Sequence, residues 1–565
     1  MLCRRRYLFM VMLNQVGYNV NQEKIAVAQW PGKYEVRNEK GEAVLHTSTK
    51  AGLQDPLTGE TLYTVDFSRL TTPGVYQLVY EYGDTSCHFT IGEDVYKDVH
   101  NAMIRALYFQ RCGCALEEKY AGKFKHAACH MDMVSLWTDK EKKFECPGGW
   151  HDAGDYGRYI SPAAVTIAHL LYAYEKYPAA FAEELNLPES GNGVADVLNE
   201  CRYELEWMLK MQLPDGGVYH KLTAQYHAPF IMPEEDKDPF YAYEVSSMAT
   251  ADFCACMAQS ARVYKAVDAE FADRMAVAAK KAWEWLKANP QKVLFENPKD
   301  SNTGSYSDTT DKDERLWAAT EMFYLAVAEE GADGKASGGE DGTGAGIGAV
   351  TGAAEYKAAV EALLYNEEIL YDFGWTDVSG FALLAILKDE SKSIGAEIYE
   401  ACAKIVLEEA NRLLSLCKNN AFSIGMDEND FIWGSNMVIT NRGILWSLAY
   451  ELTGDERYIW AMQNHLDYLL GKNITGYSYV TGFGENAYKN PHSRPIAVDG
   501  IEEPIPGWVS GGANSKPCDP DALAVIPAGA APMKCFADVT GSYSTNEITI
   551  YWNSSAVYVT AFLRR

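Results

Sequence analysis

Long apolar runs and positive charge are both scarce in this sequence. Beyond its first dozen residues it has no apolar stretch of about 18 residues, so we expect no membrane-spanning helix. Its 50 Lys and Arg stand against 78 Asp and Glu, which gives a net charge of −28. Such a charge repels nucleic acid and anionic membranes, so we expect neither as a partner. A neutral or cationic substrate is compatible with it.

A disulfide framework is also lacking. The 13 cysteines are an odd number, so at least one has no disulfide partner. Four of them lie in helical apolar patterns, where a thiol acts as a small buried hydrophobe; they are Cys201, Cys254, Cys256 and Cys402.

The first dozen residues have the charge-then-apolar order of a secretion signal, with three Arg at 4–6. The apolar part is short and no Ala-x-Ala cleavage site follows it. We assign residues 1–12 to a leader or disordered segment. We expect a secreted or periplasmic protein, although without a clear signal peptide a cytoplasmic location stays open.

Two domains are predicted from a change in periodicity. Residues 13–94 consist of short β-rich runs separated by turns such as Pro31-Gly32, which predicts a sandwich of six or seven strands. From residue 95 to 565 the apolar pattern is helical, with about a dozen helices and hardly a strand. Within it, residues 330–354 are rich in Gly, Ala and acids and have no aromatic residue, which predicts a mobile surface insertion.

One segment combines residue types that packing alone does not require. Residues 148–159 read Gly-Gly-Trp-His-Asp-Ala-Gly-Asp-Tyr-Gly-Arg-Tyr. Gly154 frees the backbone to turn between Asp152 and Asp155, so both carboxylates can reach one small volume. Two such acids do not both ionise freely. They act either as a helix cap and a turn residue or as a general base for water, and spacing alone leaves both interpretations open.

Two thiols and two imidazoles form a second candidate site. They satisfy tetrahedral zinc without an open coordination position, so the metal would be structural and would anchor the loop that carries the acids. Chance is the alternative in a chain with 13 Cys and 11 His. The four residues are Cys112, Cys129, His130 and His151.

Aromatic residues make up 12% of the chain, with 36 Tyr and 13 Trp. Sugar rings stack on flat aromatic faces, so a glycan-binding cleft is one explanation of this content. A tyrosine-rich helical core is the other.

Residues 148–159 resemble the signature of the family 9 glycoside hydrolases, the inverting cellulases and related β-glucanases. Residues 490–495 and 543–553 resemble two later signatures of that family, in the same order. Residues 13–18, Leu-Asn-Gln-Val-Gly-Tyr, resemble the start of the immunoglobulin-like domain found in one branch. The resemblance covers essentially the whole chain. It implies an all-α catalytic domain, an (α/α)6 barrel, preceded by a small all-β immunoglobulin-like sandwich.

The resemblance implies roles for three acids. Asp155 is expected to be the general base, Asp152 to help hold the water, and Glu547 to be the general acid; from the residues alone, Glu547 is an ordinary acid at a helix start. Inverting hydrolysis places a water between base and sugar, so the two carboxyls should lie about 6.5–9.5 Å apart. Apolar surroundings would have to raise the pKa of Glu547 for it to stay protonated.

The resemblance also implies substrate and metal contacts. His492 and Arg494 match sugar-binding residues of the family, while Ser493 replaces a second His often found there. The family branch carries zinc at positions that match the two thiols and two imidazoles. Further substrate-binding candidates are Trp317, which core packing explains equally well, Tyr551 and Tyr156. The oxygen-rich segment 303–311 suggests a possible calcium site formed by Asp308, Asp311 and Asp377. No organic cofactor is expected.

We therefore expect a monomeric endo-β-1,4-glucanase acting on cellulose-like or mixed-linkage β-glucans. An exo-acting β-glucosidase or glucosaminidase on short oligosaccharides is the nearest alternative, because loops at the cleft ends decide between endo- and exo-action. A non-catalytic glycan-binding protein and a zinc-dependent hydrolase are alternatives from other classes.

Overall fold

The computed structural model describes residues 11–336 and 351–565. The chain divides into two compact units. The terminal unit contains residues 11–109, 177–185 and 407–565, and the central unit contains residues 110–176 and 186–406. Among the described residues, no helix combines the length and apolar character that crossing a membrane requires.

An immunoglobulin-like sandwich forms the start of the terminal unit. Its strands are β1 (Val11–Met12), β2 (Gly17–Asn19), β3 (Ile25–Ala28), β4 (Lys33–Asn38), β5 (Ala43–Ser48), β6 (Leu53–Gln54), β7 (Thr61–Asp66), β8 (Gly74–Tyr80) and β9 (Thr85–Gly92). They form two sheets with the orders β1-β3-β7-β6 and β2-β9-β8-β4-β5. Alternate residues of both sheets enclose one core, in which Tyr18 packs edge-on against Phe67 and Phe89 at ring distances of 5.5 and 5.8 Å.

The sandwich begins earlier than predicted. Val11 lies opposite Ala28 of β3, so residues 11 and 12 belong to the domain and not to a leader. The remainder of the predicted leader, residues 1–10, lies outside the described residues. A two-residue strand contains no alternation to detect, which explains the difference.

The rest of the chain is predominantly helical, as predicted. In the described residues the helices are α1 (Lys97–Tyr108), α2 (Glu118–Ala121), α3 (Ile160–Lys176), α4 (Asp196–Met208), α5 (Ser247–Tyr264), α6 (Ala269–Ala288), α7 (Lys312–Ala336), α8 (Thr351–Leu363), α9 (Ser379–Lys388), α10 (Ala396–Cys417), α11 (Ser435–Thr453), α12 (Glu456–Leu469), α13 (Arg494–Val498), α14 (Pro520–Val525), α15 (Tyr543–Asn546) and α16 (Ile550–Leu563).

The predicted insertion at 330–354 is helical at both of its described ends, where α7 finishes and α8 begins. The residues between them, 337–350, lie outside the described part of the chain.

The central unit also contains a small sheet, and the prediction of hardly any strand there was wrong. Its order is β11-β10-β14-β13-β12, with β10 and β14 parallel. Each strand has two to four residues, too few for a period-two pattern to stand out. The strands are β10 (Val134–Leu136), β11 (Lys143–Phe144), β12 (Arg158–Tyr159), β13 (Lys221–Ala224) and β14 (Phe240–Ala242). Strand β12 directly follows the two acids, so this sheet supports the candidate site.

Candidate active site and metal centre

The two acids of residues 148–159 lie on a tight turn in the central unit. The Asp152 N–H donates to the Gly157 carbonyl at 2.9 Å, and the Gly157 N–H donates to Asp155 Oδ2 at 3.1 Å. Strand β12 and helix α3 follow at once. These bonds fix the backbone of the turn between the two acids, and the charge of Asp155 acts on Asp152.

Asp152 is buried, and its environment favours the protonated carboxyl. Burial raises the pKa of Asp152 well above its ordinary value; the Tyr306 hydroxyl, which donates to Oδ2, lowers it, and the neighbouring Asp155 charge raises it. Asp152 Oδ1 is buried without a hydrogen-bond partner among the described residues. Such an oxygen is suited to a bound water.

Tyr306 was missed by the sequence analysis, although it lies inside the segment considered for calcium. Its backbone has φ = 45°, a left-handed conformation that is uncommon for a non-glycine residue. Its ring packs edge-on against Tyr159 at 4.8 Å. The unusual backbone angle therefore accompanies a side chain fixed against Asp152.

Asp155 is held by groups that favour its charged form. Besides the Gly157 N–H, the Tyr159 hydroxyl lies 3.4 Å from Asp155 Oδ2 and donates to it. His227 Nδ1 lies 3.2 Å from the same oxygen, and its side chain is 36% exposed. Donors of this kind stabilise a carboxylate. His227, which the sequence analysis missed, thus joins Asp155 at an accessible position.

Lys221 on β13 supports the same region and was also missed. Its buried ammonium donates to Asn297 Oδ1 at 2.6 Å, Thr303 Oγ1 at 2.9 Å and the Gly304 carbonyl at 2.8 Å. Burial lowers the pKa of Lys221 to about 7, against the attraction of nearby carboxylates, among them Asp155. Lys221 therefore fixes residues 303–304, which lead to Tyr306, the tyrosine that donates to Asp152.

The predicted metal ligands converge in the central unit. The ligand atoms of Cys112, Cys129, His130 and His151 all lie within 4.8 Å of one another. Cys112 Sγ is 3.6 Å from His130 Nδ1, Cys129 Sγ is 3.9 Å from His151 Nε2, and the two imidazole nitrogens are 3.3 Å apart. A zinc tetrahedron with bonds of about 2.0–2.3 Å has edges of roughly 3.3–3.8 Å. The residues present fit zinc.

Surrounding groups orient these ligands. Asp236 Oδ2 lies 3.3 Å from His130 Nε2, the arrangement in which a carboxylate fixes a metal-binding imidazole. The Tyr203 hydroxyl donates to the Cys112 carbonyl at 2.6 Å. Burial opposes ionisation of Cys112, but the hydrogen bond with Cys129 and the Arg158 charge lower its pKa well below the ordinary value. The site is thus prepared for at least one thiolate.

The later signatures meet in the terminal unit. The His492 N–H donates to the Asn546 carbonyl at 2.9 Å, and the Gly511 N–H donates to the Glu547 carbonyl at 3.0 Å. His492 Nδ1 lies 2.8 Å from the Thr540 carbonyl. These contacts fix the backbone of Glu547, which is half-buried, and bring His492 beside it. Arg494 begins α13 and is 8% exposed.

The aromatic candidates are largely buried. Trp317 is 0% exposed and packs on Phe381 at a ring distance of 5.0 Å, so its assignment to the substrate was wrong and it belongs to the core. Tyr156 is 3% exposed, its hydroxyl donates to the Ile231 carbonyl, and its ring packs on His151 at 4.9 Å. Tyr551 is 6% exposed. Helical periodicity places such rings on an inward face without distinguishing core from cleft.

Asp308, Asp311 and Asp377 do not form the predicted calcium cluster. Within the described ranges, the Cys-His group is the one set of three or more such side chains whose ligand atoms converge closely. Asp311 instead pairs with Arg315 Nε at 2.8 Å. Asp377 accepts hydrogen bonds from backbone N–H groups, among them that of Leu370.

Other acids nearby are buried as a group. Burial raises the pKa of Asp252 and Glu314 well above their ordinary values, and it raises the pKa of Asp313, Asp308 and, to about 7, Asp377. Carboxylate oxygens of Asp252, Asp308, Asp313 and Glu314 are buried without hydrogen-bond partners among the described residues. Burial therefore disfavours the charged form of these carboxyl groups.

Comparison with known proteins assigns the chain to a family. The profile described as "Glycosyl hydrolase family 9" matches residues 96–560, and that of the "Cellulase N-terminal ig-like domain" matches residues 10–84. The chain belongs to glycosyl hydrolase family 9. These matches confirm the predicted fold, an (α/α)6 barrel that follows an immunoglobulin-like sandwich in the chain. They also confirm the predicted enzyme class, glycoside hydrolase.

Relatives of this family 9 chain extend over almost its whole length. A cellodextrinase of Butyrivibrio fibrisolvens is 38% identical over 97% of this chain and 98% of its own. A xyloglucan-specific endo-β-1,4-glucanase of Bacteroides ovatus is 32% identical over 98% and 93%. A mutant thermostable endoglucanase from Alicyclobacillus acidocaldarius has a solved structure that is 35% identical, with TM-score 0.88 over 98% and 99%. A Zn-binding triple mutant of the family 9 endoglucanase J30 is 27% identical, with TM-score 0.86 over 97% and 100%.

Proposed function

We propose that this glycoside hydrolase is an endoglucanase that cleaves β-1,4-glucosidic bonds of β-glucans with inversion at the anomeric carbon. The acid turn carries the proposal, because it presents a donor-stabilised Asp155 beside a buried Asp152 that has a free oxygen lone pair. The relatives named cellodextrinase and endoglucanase support a β-1,4-glucan as substrate.

In the proposed reaction, Asp155 takes a proton from water as the water oxygen bonds to the anomeric carbon. Asp152, held by Tyr306, accepts a hydrogen bond from the same water. Glu547 donates its proton to the departing glycosidic oxygen, which leaves as a hydroxyl. Asp155 then returns its proton to solvent and Glu547 takes one up, which completes the cycle. The separation of Asp155 from Glu547 stays a prediction.

The stereochemistry of the first product tests this proposal. Proton NMR during hydrolysis of cellotetraose should show the α-anomer of the new reducing end before mutarotation, because one displacement inverts the β-linkage. Initial formation of the β-anomer would exclude Asp155 as a general base for direct attack by water.

A second candidate function is exo-action on short cello-oligosaccharides, which the 38% identity to a cellodextrinase favours. A time course of products from cellotriose to cellohexaose, with barley β-glucan in parallel, distinguishes exo-action from endo-action. Endo-action releases several product lengths and rapidly lowers the viscosity of the polymer. Release of a single short sugar with little viscosity change would favour the cellodextrinase-like function.

We propose that zinc is held by Cys112, Cys129, His130 and His151 as a structural ion. When bound, it supplies no reacting group, since two thiolates and two imidazoles complete its tetrahedron. His151 immediately precedes Asp152, so metal binding fixes the start of the acid turn.

A further inference from the structure

The outward face of the larger immunoglobulin-like sheet forms a groove of about 660 Å³. Along β4, buried Tyr34 and Val36 alternate with Lys33, Glu35 and Arg37, which face outward. The same alternation on β8 and β9 leaves polar side chains pointing away from the core. The outward residues of its floor are Glu35, Arg37, His46, Gln77, Val79 and His88.

Strand pairing arranges these residues in rows across the sheet. His46 of β5 lies opposite Glu35 of β4, which lies opposite Val79 of β8. In the next row, Arg37 lies opposite Gln77, which lies opposite His88 of β9. The floor therefore offers hydrogen-bond donors and acceptors at regular intervals along an extended ligand.

Two exposed aromatic side chains belong to the turns next to Lys33 and Glu81, which line one end of the groove. Trp30 is 54% exposed and Tyr82 is 79% exposed. Tyr34 of β4 lies opposite Tyr80 of β8, so the turns that carry the two exposed rings are neighbours at that sheet end. The Tyr80 hydroxyl donates to the Pro31 carbonyl at 3.0 Å, and the Tyr82 ring packs edge-on against Tyr80 at 5.2 Å. Both turns are thus braced by one buried tyrosine.

The other end of the groove meets the catalytic part of the terminal unit. His88 Nδ1 lies 2.6 Å from Glu485 Oε1, and the His88 N–H donates to Glu485 Oε2 at 3.2 Å. Glu485 lies in the segment that leads to His492, beside Glu547. From Lys33 to Arg37 the strand advances about 13 Å, at about 3.3 Å per residue. The groove is long enough for an oligomer and ends at a segment of the catalytic domain.

The charge of the groove suits an uncharged ligand. The lining contains two cations, Lys33 and Arg37, and three anions, Glu35, Glu39 and Glu81, so opposite charges nearly cancel. Arg37 donates to Glu35 Oε2 at 2.8 Å. The chain as a whole carries −28. Flat exposed rings bind the apolar faces of sugars, and the polar rows can bind their hydroxyl groups.

We propose that this groove binds a single β-glucan chain, so that the immunoglobulin-like domain is a second substrate-binding surface. Trp30 and Tyr82 stack on sugar rings, and the rows through Glu35 and Arg37 bond their hydroxyl groups. The proposal rests on the proposed function, since the ligand is the polymer that the catalytic domain cleaves.

Affinity electrophoresis of the full chain in gels containing hydroxyethylcellulose tests the groove. A Glu547→Gln background prevents hydrolysis of the polymer during the run. Adding Trp30→Ala and Tyr82→Ala should raise the apparent Kd about fivefold or more, because both stacking contacts are lost. The pair Trp30→Phe and Tyr82→Phe should retain most of the affinity. Tyr365→Ala, which removes a 70% exposed ring outside the sandwich, should change nothing.

Hydrolysis of cellotetraose by chains that keep Glu547 distinguishes failure of the groove proposal from failure of the proposed endoglucanase function. In this assay the Ala pair should keep kcat/KM within about twofold of wild type, because a tetrasaccharide does not need the groove. Equal gel retardation of wild type and the Ala pair overturns the groove proposal, as does a Phe pair as weak as the Ala pair. A wild type that does not hydrolyse cellotetraose overturns the proposed function instead.

Discussion

Replacing Asp155 with Asn is expected to lower kcat on cellotetraose by about 10²–10⁴-fold, the contribution of a well-placed general base. The Asn carbonyl oxygen can still accept from the Gly157 N–H at the position where Oδ2 now lies. The amide cannot take a proton from water. Binding of glucan should therefore remain measurable while turnover is lost, and steady-state kinetics with calorimetric titration of cellotetraose compares the two.

Glu547→Gln provides the matched control, because the general acid is needed only when the leaving group is poor. On 2,4-dinitrophenyl β-cellobioside, whose phenolate leaves without protonation, this variant should recover most of its activity, whereas Asp155→Asn should stay slow on both substrates. An Asp155→Asn variant with wild-type turnover contradicts the base assignment. A Glu547→Gln variant that is equally slow on both substrates contradicts the acid assignment.

The residues that hold the acid turn show where sequence reasoning ends. Asp152 and Asp155 could be found because they lie three positions apart around a glycine. Tyr306 and His227 reach them from segments distant in the sequence, and Lys221 holds the segment that leads to Tyr306. In the sequence Lys221 is one of 50 basic residues, and only folding of β13 beside β12 gives it a role.

Length explains which elements could be predicted. Helix α9 spans Ser379–Lys388, and several turns of apolar residues repeat the helical signal there. Strand β12 has only two residues, too few for an alternating apolar pattern to repeat. The fully buried Trp317 shows a related limit, since an inward helical position is common to a core residue and a cleft residue.

The clustering of Cys112, Cys129, His130 and His151 could be predicted because Cys and His are rare and chemically distinctive. Cys129 and His130 are adjacent in the sequence, and His151 immediately precedes Asp152, so the group could be recognised. Asp236, which orients His130, is one of 78 acids and carries no such marker. Groups that orient a ligand are therefore harder to find than the ligand itself.

Replacing Cys112 and Cys129 with Ser is expected to remove zinc and to destabilise the central unit. Zinc measured by mass spectrometry should fall from about one ion per chain to nearly none, because neutral hydroxyls are poor ligands for it. Tm should fall by several degrees or more, because the free energy of binding a metal to a site that forms only on folding adds to the free energy of unfolding. Activity should fall along with Tm, since His151 joins the metal site to Asp152.

Two further variants make this result specific. Cys518→Ser changes an exposed thiol outside the metal site and should keep both zinc and Tm. Asp236→Asn should weaken zinc affinity about 10–100-fold while the chain still folds, because the His130 imidazole loses its carboxylate partner. With a structural zinc, a chelator lowers Tm and activity together. A chelator that abolishes turnover at unchanged Tm would instead indicate a zinc ion taking part in the reaction, and zinc retained by the double Ser variant would contradict the ligand assignment.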